Sequence, residues 1–352
     1  MNILYFISSL HYGGAEKQAL LDANMMVQNN KVFLLCFSDG PQKEILDNRV
    51  SLIYFKKKNY LITANNLAKL VKHYKIQLIN SSLFAPMIIS ALSSLLCKVK
   101  VVWHFHSHEY ELPLFHRMVY KWLPRLPRIK KLCFVNNELI RYYEKSGFDF
   151  PRNKIKLLYN NSTIRPSRTI KKGNFKIVIG YVGRLVLLKR VEYLIELAQY
   201  LVANKFVDFH IQIVGDGDQR KLLEQEAVKK GLQSNISFVG FQNDIEKFYN
   251  GFDLFVNPSQ EECLSIALID AGMCGIPAIA FDVGGNDEII INSQTGYIVN
   301  TKENFFDKVF FLIKNKILRE DMGKKATEHC LKYFSEEVHL QQLESLYSEV
   351  MR

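Results

Sequence analysis

Residues 175–202, FKIVIGYVGRLVLLKRVEYLIELAQYLV, contain the unit from which the fold is built. The first nine residues form an apolar run that ends in a glycine, as expected for a buried strand entering a turn. The last twelve residues, VEYLIELAQYLV, place apolar side chains at helical spacing. The stretch therefore predicts a strand, a turn and a helix, in that order.

The same alternation runs along the whole chain. It stops at residues 160–174, NNSTIRPSRTIKKGN, and then restarts. Strand and helix in turn indicate an α/β fold with mostly parallel sheets covered on both faces. The sequence thus predicts two doubly wound, Rossmann-like domains facing each other across a cleft, with ligands at the carboxyl ends of the strands. The other predicted strands are NILYFIS, KVFLLCF, SLIYF, IQLINSS, KVVWHFH and KLCFVN in the first half, and FHIQIVG, NISFVGF, DLFVNPS and PAIAFDVGG in the second.

The predicted domain boundaries follow from residues 160–174, where Asn, Pro, Ser and Lys replace the periodic pattern, as in a linker. The first domain is predicted over 1–165 and the second over 166–335. The closing stretch, SEEVHLQQLESLYSEVMR, is amphipathic. It predicts a helix over 336–352 that returns to the first domain.

Composition and charge narrow the class of protein. The 352 residues, 48% of them hydrophobic, are enough for two packed cores. The six cysteines show neither a CxxC pair nor a zinc-binding spacing, which favours a reducing, cytoplasmic compartment. The start, MNILYFISSLHYGG, lacks a basic n-region and a cleavage site, so we interpret it as a strand rather than a signal peptide. No apolar stretch reaches 18 residues, so any membrane contact is expected to be peripheral.

The positive charge is concentrated in the first half. Residues 1–170 carry 25 Lys and Arg against 10 Asp and Glu, whereas residues 171–352 carry 21 against 25. This asymmetry indicates that the first domain meets an anionic surface or substrate.

Two cations follow the strand of the opening stretch. Arg184 and Lys189 lie just after Gly183, where they would suit a diphosphate whose charge must be neutralised. The alternative is an ordinary solvated helix start.

A second stretch, SQEECLSIALIDAGMCGIPAIA at residues 259–280, places two carboxylates in a segment otherwise typical of a core. Along a helix Glu262 and Asp270 would be separated by up to roughly 12 Å. That exceeds the roughly 5 to 9.5 Å of a glycosidase pair, and it favours an elongated, hydroxyl-rich ligand such as a nucleotide sugar. The alternative is an exposed Glu and a satisfied helical Asp.

These motifs resemble glycosyltransferase family 4, whose members are retaining enzymes of the GT-B fold. The resemblance covers almost the whole second half, through GYVGRLVLLKR, IVGDGDQRKLLE, NISFVGFQNDIEKFYNGFDLFVNPSQEE, CLSIALIDAGMCGIPAIA and DVGGNDEIIINSQTGYIV. It implies that Arg184 and Lys189 bind the donor diphosphate, Glu262 the sugar hydroxyls and Asp270 the ribose. It also implies donor contacts from Gly215, Phe241, Cys263, Leu264 and Ser265.

The match departs from the family pattern at two places. Asp270 stands where the family usually has Glu and is shorter by one methylene, which bears on the ribose contact. Glu262-Cys263-Leu264-Ser265 replaces Glu-Gly-Phe-Gly, which bears on the loop geometry and on the identity of the donor sugar.

The first half resembles the family in two motifs. In HYGGAEKQ, Gly13 and Gly14 would let the backbone approach the donor phosphates or the acceptor. In VVWHFHSHEY, which holds three of the nine histidines, the resemblance implies an active-site histidine near the donor sugar. We assign this role to His106, with His104 and His108 as alternatives.

Two further patterns concern metals and membranes. Asp216-Gly217-Asp218 matches the DxD of metal-dependent transferases, but it follows a strand as a turn, and no metal is expected.

Basic residues mixed with aromatic ones suit an anionic membrane surface, the alternative being a solvated basic helix. No nucleic acid is expected, although the charge alone would permit it. The basic residues of this predicted membrane surface are Lys56, Lys57, Lys58, Arg117, Lys121, Arg125, Arg128, Lys130 and Lys131. The hydrophobic residues that alternate with them are Tyr120, Trp122 and Leu123.

The sequence and this resemblance therefore predict a metal-independent glycosyltransferase on the cytoplasmic face of a membrane, and the resemblance implies that it retains the anomeric configuration. It would move a sugar from a nucleoside diphosphate sugar, preferably a UDP-sugar, to a glycan or lipid-linked acceptor in bacterial surface polysaccharide synthesis. The donor is a substrate, and no cofactor is expected. A dehydrogenase would need GxGxxG, which is missing. The remaining alternative is a non-catalytic polyanion-binding protein of the same fold.

Overall fold

The structure is a computed structural model that describes residues 1–56, 58–108, 113–165 and 176–352. Lys57, most of the predicted linker and the predicted domain boundary at 165/166 lie outside the described residues. Contacts divide the chain into a first unit, Met1–Asn160 with Glu337–Arg352, and a second unit, Asn161–Glu336.

The first unit is built on a seven-stranded parallel sheet with strand order β3-β2-β1-β4-β5-β6-β7. Its central strands are buried because helices cover both faces of the sheet, and in β4 this burial includes the polar residues Asn80, Ser81 and Ser82. The strands are β1 (Asn2–Phe6), β2 (Lys31–Cys36), β3 (Ser51–Tyr54), β4 (Leu78–Ser82), β5 (Lys100–Phe105), β6 (Ile129–Phe134) and β7 (Ile155–Leu157).

Among the described residues, six α-helices belong to the first unit, and the last of them comes from the end of the described chain. That helix packs into the core beside β1 and the first helix. Its Tyr347 hydroxyl lies 2.9 Å from the hydroxyl of Tyr5, and His339 Nε2 lies 2.8 Å from Asp22 Oδ1. The helices are α1 (Gly14–Met26), α2 (Tyr60–His73), α3 (Phe84–Leu96), α4 (Leu114–Trp122), α5 (Asn137–Lys145) and α13 (Glu336–Met351).

The second unit has a six-stranded parallel sheet with strand order β10-β9-β8-β11-β12-β13. The opening stretch supplies its central strand and the helix after it, in the predicted order. The strands are β8 (Ile177–Val182), β9 (Phe209–Val214), β10 (Ile236–Gly240), β11 (Leu254–Asn257), β12 (Ala278–Phe281) and β13 (Gly296–Val299). The helices are α6 (Glu192–Ala203), α7 (Arg220–Lys229), α8 (Glu246–Tyr249), α9 (Ile266–Met273), α10 (Asn286–Ile289), α11 (Lys302–Lys314) and α12 (Lys316–Phe334).

Each sheet reverses its strand order at one point. In the second unit the chain runs outward from β8 to β9 and β10, and then returns to place β11 on the other side of β8. The carboxyl ends of β8 and β11 therefore flank a gap between their loops, the usual ligand position in open α/β sheets. Within the described residues, every helix is too short or too polar to cross a bilayer.

Candidate functional site

The loops after β8 and β11 bring together Lys189 and Glu262, both named by the sequence. Lys189 Nζ lies 2.6 Å from Glu262 Oε1 and donates to the Glu261 carbonyl at 3.3 Å. The two side chains are only 18% and 13% exposed. Because the pair is partly shielded from water, its mutual attraction exceeds that of a surface pair, and both groups are held in place.

Two polar side chains at the end of β11 hold the same carboxylate oxygen. Glu262 Oε1 accepts from Ser259 Oγ at 2.9 Å and from Asn257 Nδ2 at 3.2 Å. Ser259 is in turn fixed by its backbone N–H, which donates to Asn257 Oδ1 at 3.1 Å. Sequence reasoning missed Asn257 and Ser259, although their position at the end of an apolar strand was an available signal.

Backbone contacts fix the loop that carries Glu262. The N–H of Gln260 donates to the Leu188 carbonyl at 2.8 Å, and the N–H of Gly285 donates to the Cys263 carbonyl at 2.7 Å. Gly284 has φ +56°, and a Cβ there would lie 2.0 Å from the Glu262 carbonyl oxygen. The loop after β12 therefore requires glycine at this position, because its backbone passes so close to the Glu262 loop.

Arg184 contrasts with Lys189. It is exposed, and it forms no ion pair with the residues that the structure describes. Its backbone carbonyl accepts from the buried Tyr181 hydroxyl at 3.1 Å, which fixes the backbone but leaves the guanidinium in solvent. An exposed cation beside an ordered ion pair can receive an anion without first breaking an internal contact.

Ser265 directly precedes α9, but its side chain does not cap the helix. Its hydroxyl instead accepts from Asn257 Nδ2 at 3.1 Å. Leu264 is buried, whereas Cys263 is partly exposed. The side chain of Leu264 therefore belongs to the packing of the unit, and the donor contact expected of residues 263–265 rests on their backbone amides.

Asp270 lies in α9 with a side chain committed to the interior. The residue is 2% exposed, and Oδ1 accepts from Ser162 Oγ at 2.5 Å. Ser162 also accepts from the backbone N–H of Ile164 at 3.0 Å. The structure thus gives Asp270 a partner that the sequence did not suggest, and its contact with a ribose stays a prediction.

Three candidate residues lie at one edge of the second sheet. Gly215 and Asp216 follow β9, and Phe241 follows β10. Gly215 has φ +139°, and a Cβ there would lie 1.9 Å from the Gly183 carbonyl oxygen, so close backbone packing explains this glycine. Phe241 is exposed directly after β10. Asp216 pairs with Arg220 at 2.8 Å. Among the residues described, no three His, Cys, Asp or Glu side chains cluster as metal ligands would.

The two glycines of the first unit stand at the start of α1. Gly13 precedes the helix with an extended backbone, and Gly14 is its first residue. The extended conformation does not require glycine at position 13. Their proximity to phosphate or acceptor remains a prediction.

The three candidate histidines have different surroundings. His108 Nε2 lies 2.5 Å from Glu138 Oε2, so it is engaged with α5. His104 is buried within β5, and its ring centroid lies 4.0 Å from that of His106. His106 follows β5 directly, and neither of its ring nitrogens has a hydrogen-bond partner among the described residues. His104 Nε2 also lacks a hydrogen-bond partner among the described residues, so His106 differs from it in having both ring nitrogens unpaired and in lying just past the carboxyl end of the strand.

Acid is expected to destabilise the first unit through His106. Burial, with a smaller contribution from His339, lowers the pKa of His106 from 6.5 to about 3. The unfolded imidazole takes up a proton below pH 6.5, but the folded one does not until about pH 3, so stability falls as the pH falls through this window. Between pH 7 and pH 5 the loss is about 2 kcal/mol.

Urea unfolding at both pH values measures this loss. Trp103 and Trp122 are the only tryptophans, and both lie in the first unit, so tryptophan fluorescence follows that unit. The same change in unfolding free energy is measured for His106→Gln and subtracted, which removes the contribution of the other titratable groups. Buried His104, whose pKa is also lowered by burial, contributes to both proteins. Equal pH dependence in the two proteins would contradict the prediction.

Comparison with known proteins identifies families for both halves. Residues 162–329 match the family model described as glycosyl transferases group 1, and residues 12–160 match that of glycosyltransferase family 4. The UDP-Gal:alpha-D-GlcNAc-diphosphoundecaprenol alpha-1,3-galactosyltransferase of Escherichia coli is 25% identical over 348 residues, 90% of this chain and 89% of that protein. The poly(ribitol-phosphate) alpha-N-acetylglucosaminyltransferase of Staphylococcus aureus is 29% identical over 175 residues, 49% of this chain and 35% of that protein.

A solved structure shares the fold. Anabaena Alr3699/HepE in complex with UDP superposes with a TM-score of 0.87 and 19% identity, covering 99% of this chain and 100% of that one. The same protein in complex with UDP-glucose gives a TM-score of 0.84, with 19% identity and the same coverage. The prediction of two doubly wound, Rossmann-like domains of the GT-B type is confirmed.

Proposed function

The chain belongs to the glycosyltransferases of group 1 and family 4, and from this membership we propose that it transfers a sugar, with retention of configuration, from a UDP-sugar to a glycan or lipid-linked acceptor in bacterial surface polysaccharide synthesis. The observation that carries the proposal is the Lys189–Glu262 pair, held by Asn257 and Ser259 where the second sheet reverses its strand order. We propose this edge as the donor site.

The donor diphosphate would bind the two cations that follow β8. Arg184 is exposed and offers a planar guanidinium to phosphate oxygens, while Lys189 supplies a fixed point charge. These two cations provide the charge that a metal ion provides in other transferases, so we propose that the reaction needs no metal. A uridine nucleotide is proposed because the fold neighbour HepE binds UDP and UDP-glucose.

The donor sugar would lie against Glu262. A carboxylate accepts hydrogen bonds from sugar hydroxyls, and here Oε1 is already oriented by three donors. The backbone amides of residues 263–265 would face the sugar and phosphates, and Asp270 the ribose, as the family resemblance implies. His106 is the first unit's candidate for contact with the sugar.

In the proposed reaction, the bond between the anomeric carbon and the diphosphate oxygen breaks, and its electron pair leaves with the diphosphate. The acceptor hydroxyl oxygen bonds to the same face of the anomeric carbon, and its proton passes to the leaving phosphate. Negative charge grows on the diphosphate as the bond breaks, so Arg184 and Lys189 stabilise the transition state more than the bound donor.

The acceptor is proposed to bind the basic first unit. One relative that matches almost the whole chain is named for a diphosphoundecaprenol acceptor, an anionic lipid-linked sugar. The other is named for poly(ribitol-phosphate), which is also anionic. The positive charge of the first half suits either class.

Thermal denaturation with UDP-, GDP-, ADP-, TDP- and CMP-sugars in the presence of EDTA tests this function. We expect UDP-sugars to raise Tm selectively. Arg184→Ala should weaken the binding of that donor about 10- to 100-fold, because a charge-assisted hydrogen bond to phosphate is lost. Lys325→Ala, which removes a cation paired with Asp321 in α12, should change nothing. If no donor binds by calorimetry while polyanions do, the non-catalytic alternative replaces this function.

A further inference from the structure

An apolar surface lies open on the first unit. Leu114 is 75% exposed, Trp122 is 61% exposed and Leu61 is 71% exposed. The Tyr60 ring stacks at 6.0 Å from the Phe115 ring, which makes the start of α2 a neighbour of α4. We name this region the α2–α4 surface, and its exposed apolar residues are Leu61, Ile62, Leu114, Phe115, Met118 and Trp122.

The sequence of α4 explains why these side chains face water. Its hydrophobic residues divide between two sides of the helix. Val119 and Tyr120 are buried, and Tyr120 packs at 5.6 Å from the Phe105 ring, so it anchors the helix and is not part of the surface, contrary to its grouping in the sequence analysis. Phe115, Met118 and Trp122, at intervals of three and four residues, lie on the exposed side. A contiguous exposed patch of this kind marks an interaction site.

The charge around the surface identifies its partner. Exposed Lys56 and Lys58 precede α2, while exposed Arg117 and Lys121 lie on α4 among the apolar residues. No Asp or Glu occurs at residues 48–108 or 112–137, the segments that supply both helices. Arg125 is not counted among the free cations because it pairs with Asp149 at 3.3 Å. Glu109 and Glu111, which separate these two segments in sequence, lie outside the described residues. Within the part that the structure describes, the surface therefore combines apolar side chains with cations and contains no carboxylate.

We propose that the α2–α4 surface binds an anionic phospholipid bilayer, with Phe115, Met118 and Trp122 entering the interface and the surrounding cations contacting lipid phosphates. Trp together with Lys and Arg is the composition found at the membrane interface. A second copy of this chain is disfavoured, since two such faces would repel each other. A nucleic acid would use the cations but would leave the aliphatic side chains in water. The proposal does not depend on the identity of the donor.

Vesicle flotation with tryptophan fluorescence tests the proposal. The full chain is mixed with vesicles of phosphatidylcholine alone or with phosphatidylglycerol. We expect flotation with the anionic vesicles only. Trp103 is fully buried, so a blue shift and quenching by brominated lipid report on Trp122. Phe115→Ser with Trp122→Ser should weaken binding at least about tenfold. Arg117→Glu with Lys121→Glu should weaken it at least about 25-fold, counting about fivefold for each cation removed.

Matched variants separate the surface from general hydrophobicity. Leu222→Ser with Val228→Ser removes two similarly exposed apolar residues from α7 and should bind like the wild type. Phe115→Leu with Trp122→Leu keeps apolar area and should retain binding. The proposal is overturned if the wild type does not float, or if the serine variant floats equally well. Binding to single-stranded DNA without flotation would identify the surface as a nucleic-acid site instead. Concentration-dependent dimerisation that is lost in the serine variant would show that the surface binds a second copy of this chain.

Discussion

Replacing Lys189 with methionine is expected to lower the rate of UDP release from the bound donor by about 10²- to 10³-fold. The ammonium has two roles. In the structure it holds Glu262 Oε1 at 2.6 Å, and with Arg184 it is proposed to bind the donor diphosphate. Its loss would remove charge that stabilises the leaving group and would leave the Glu262 carboxylate without its cation. Methionine retains most of the volume, so packing should change little.

Initial rates and calorimetric donor binding measure this effect. Lys189→Arg should recover part of the rate, because the positive charge returns with a different geometry. Lys325→Met is the control for the loss of one lysine charge from the same unit. The double variant Lys189→Met with Glu262→Gln should lose less than the product of the two single effects, since the two residues are in contact. Unchanged rate and affinity in Lys189→Met would remove Lys189 from the site.

Gly284→Ala is expected to disrupt the proposed donor site without altering any side chain in it. The new Cβ would lie 2.0 Å from the Glu262 carbonyl oxygen and 2.9 Å from that of Cys263, at a φ of +56°. The loop after β12 or the loop carrying Glu262 must then move. We expect a loss of about 2–3 kcal/mol in stability and at least tenfold in donor affinity.

Gly231→Ala provides a closely matched control. Gly231 has a similar φ of +68°, but a Cβ there meets no atom within 4 Å. This substitution should cost only the backbone strain, about 1 kcal/mol, and should leave donor binding intact. Urea unfolding gives the stability of each variant, and calorimetry gives its donor affinity. Equal donor affinity in the two variants would show that the Glu262 loop tolerates displacement.

Much of the architecture could be predicted because buried parallel strands are continuous apolar runs. The prediction omitted β7 and β13, which have only three and four residues. Strands this short carry little signal unless they stand out as an apolar run, as the four-residue strands β11 and β12 did, and the pairing of β7 with β6 and of β13 with β12 is what makes them strands. Hydrogen bonding to a neighbour distant in sequence cannot be read from local pattern.

The site was predictable in its residue types but not in its contacts. Lys189 and Glu262 were named as separate ligands, and only the strand order reveals that they pair across 73 positions. Asp270 and Ser162 are 108 positions apart, so no local motif signals their hydrogen bond. The sequence favoured His106 but left His104 and His108 as alternatives. Their tertiary surroundings separate them, because His104 is buried in β5, His108 pairs with Glu138 of α5, and both ring nitrogens of His106 are unpaired among the described residues.

The position of α13 has a consequence for biosynthesis. The first unit is encoded in two pieces, Met1–Asn160 and Glu337–Arg352, with the entire second unit between them. During translation the second unit can complete its core while Asp22, Tyr5 and Asn80 still lack the partners that α13 brings. The order of maturation is therefore the reverse of the order of synthesis, because the unit made first is the last to be finished.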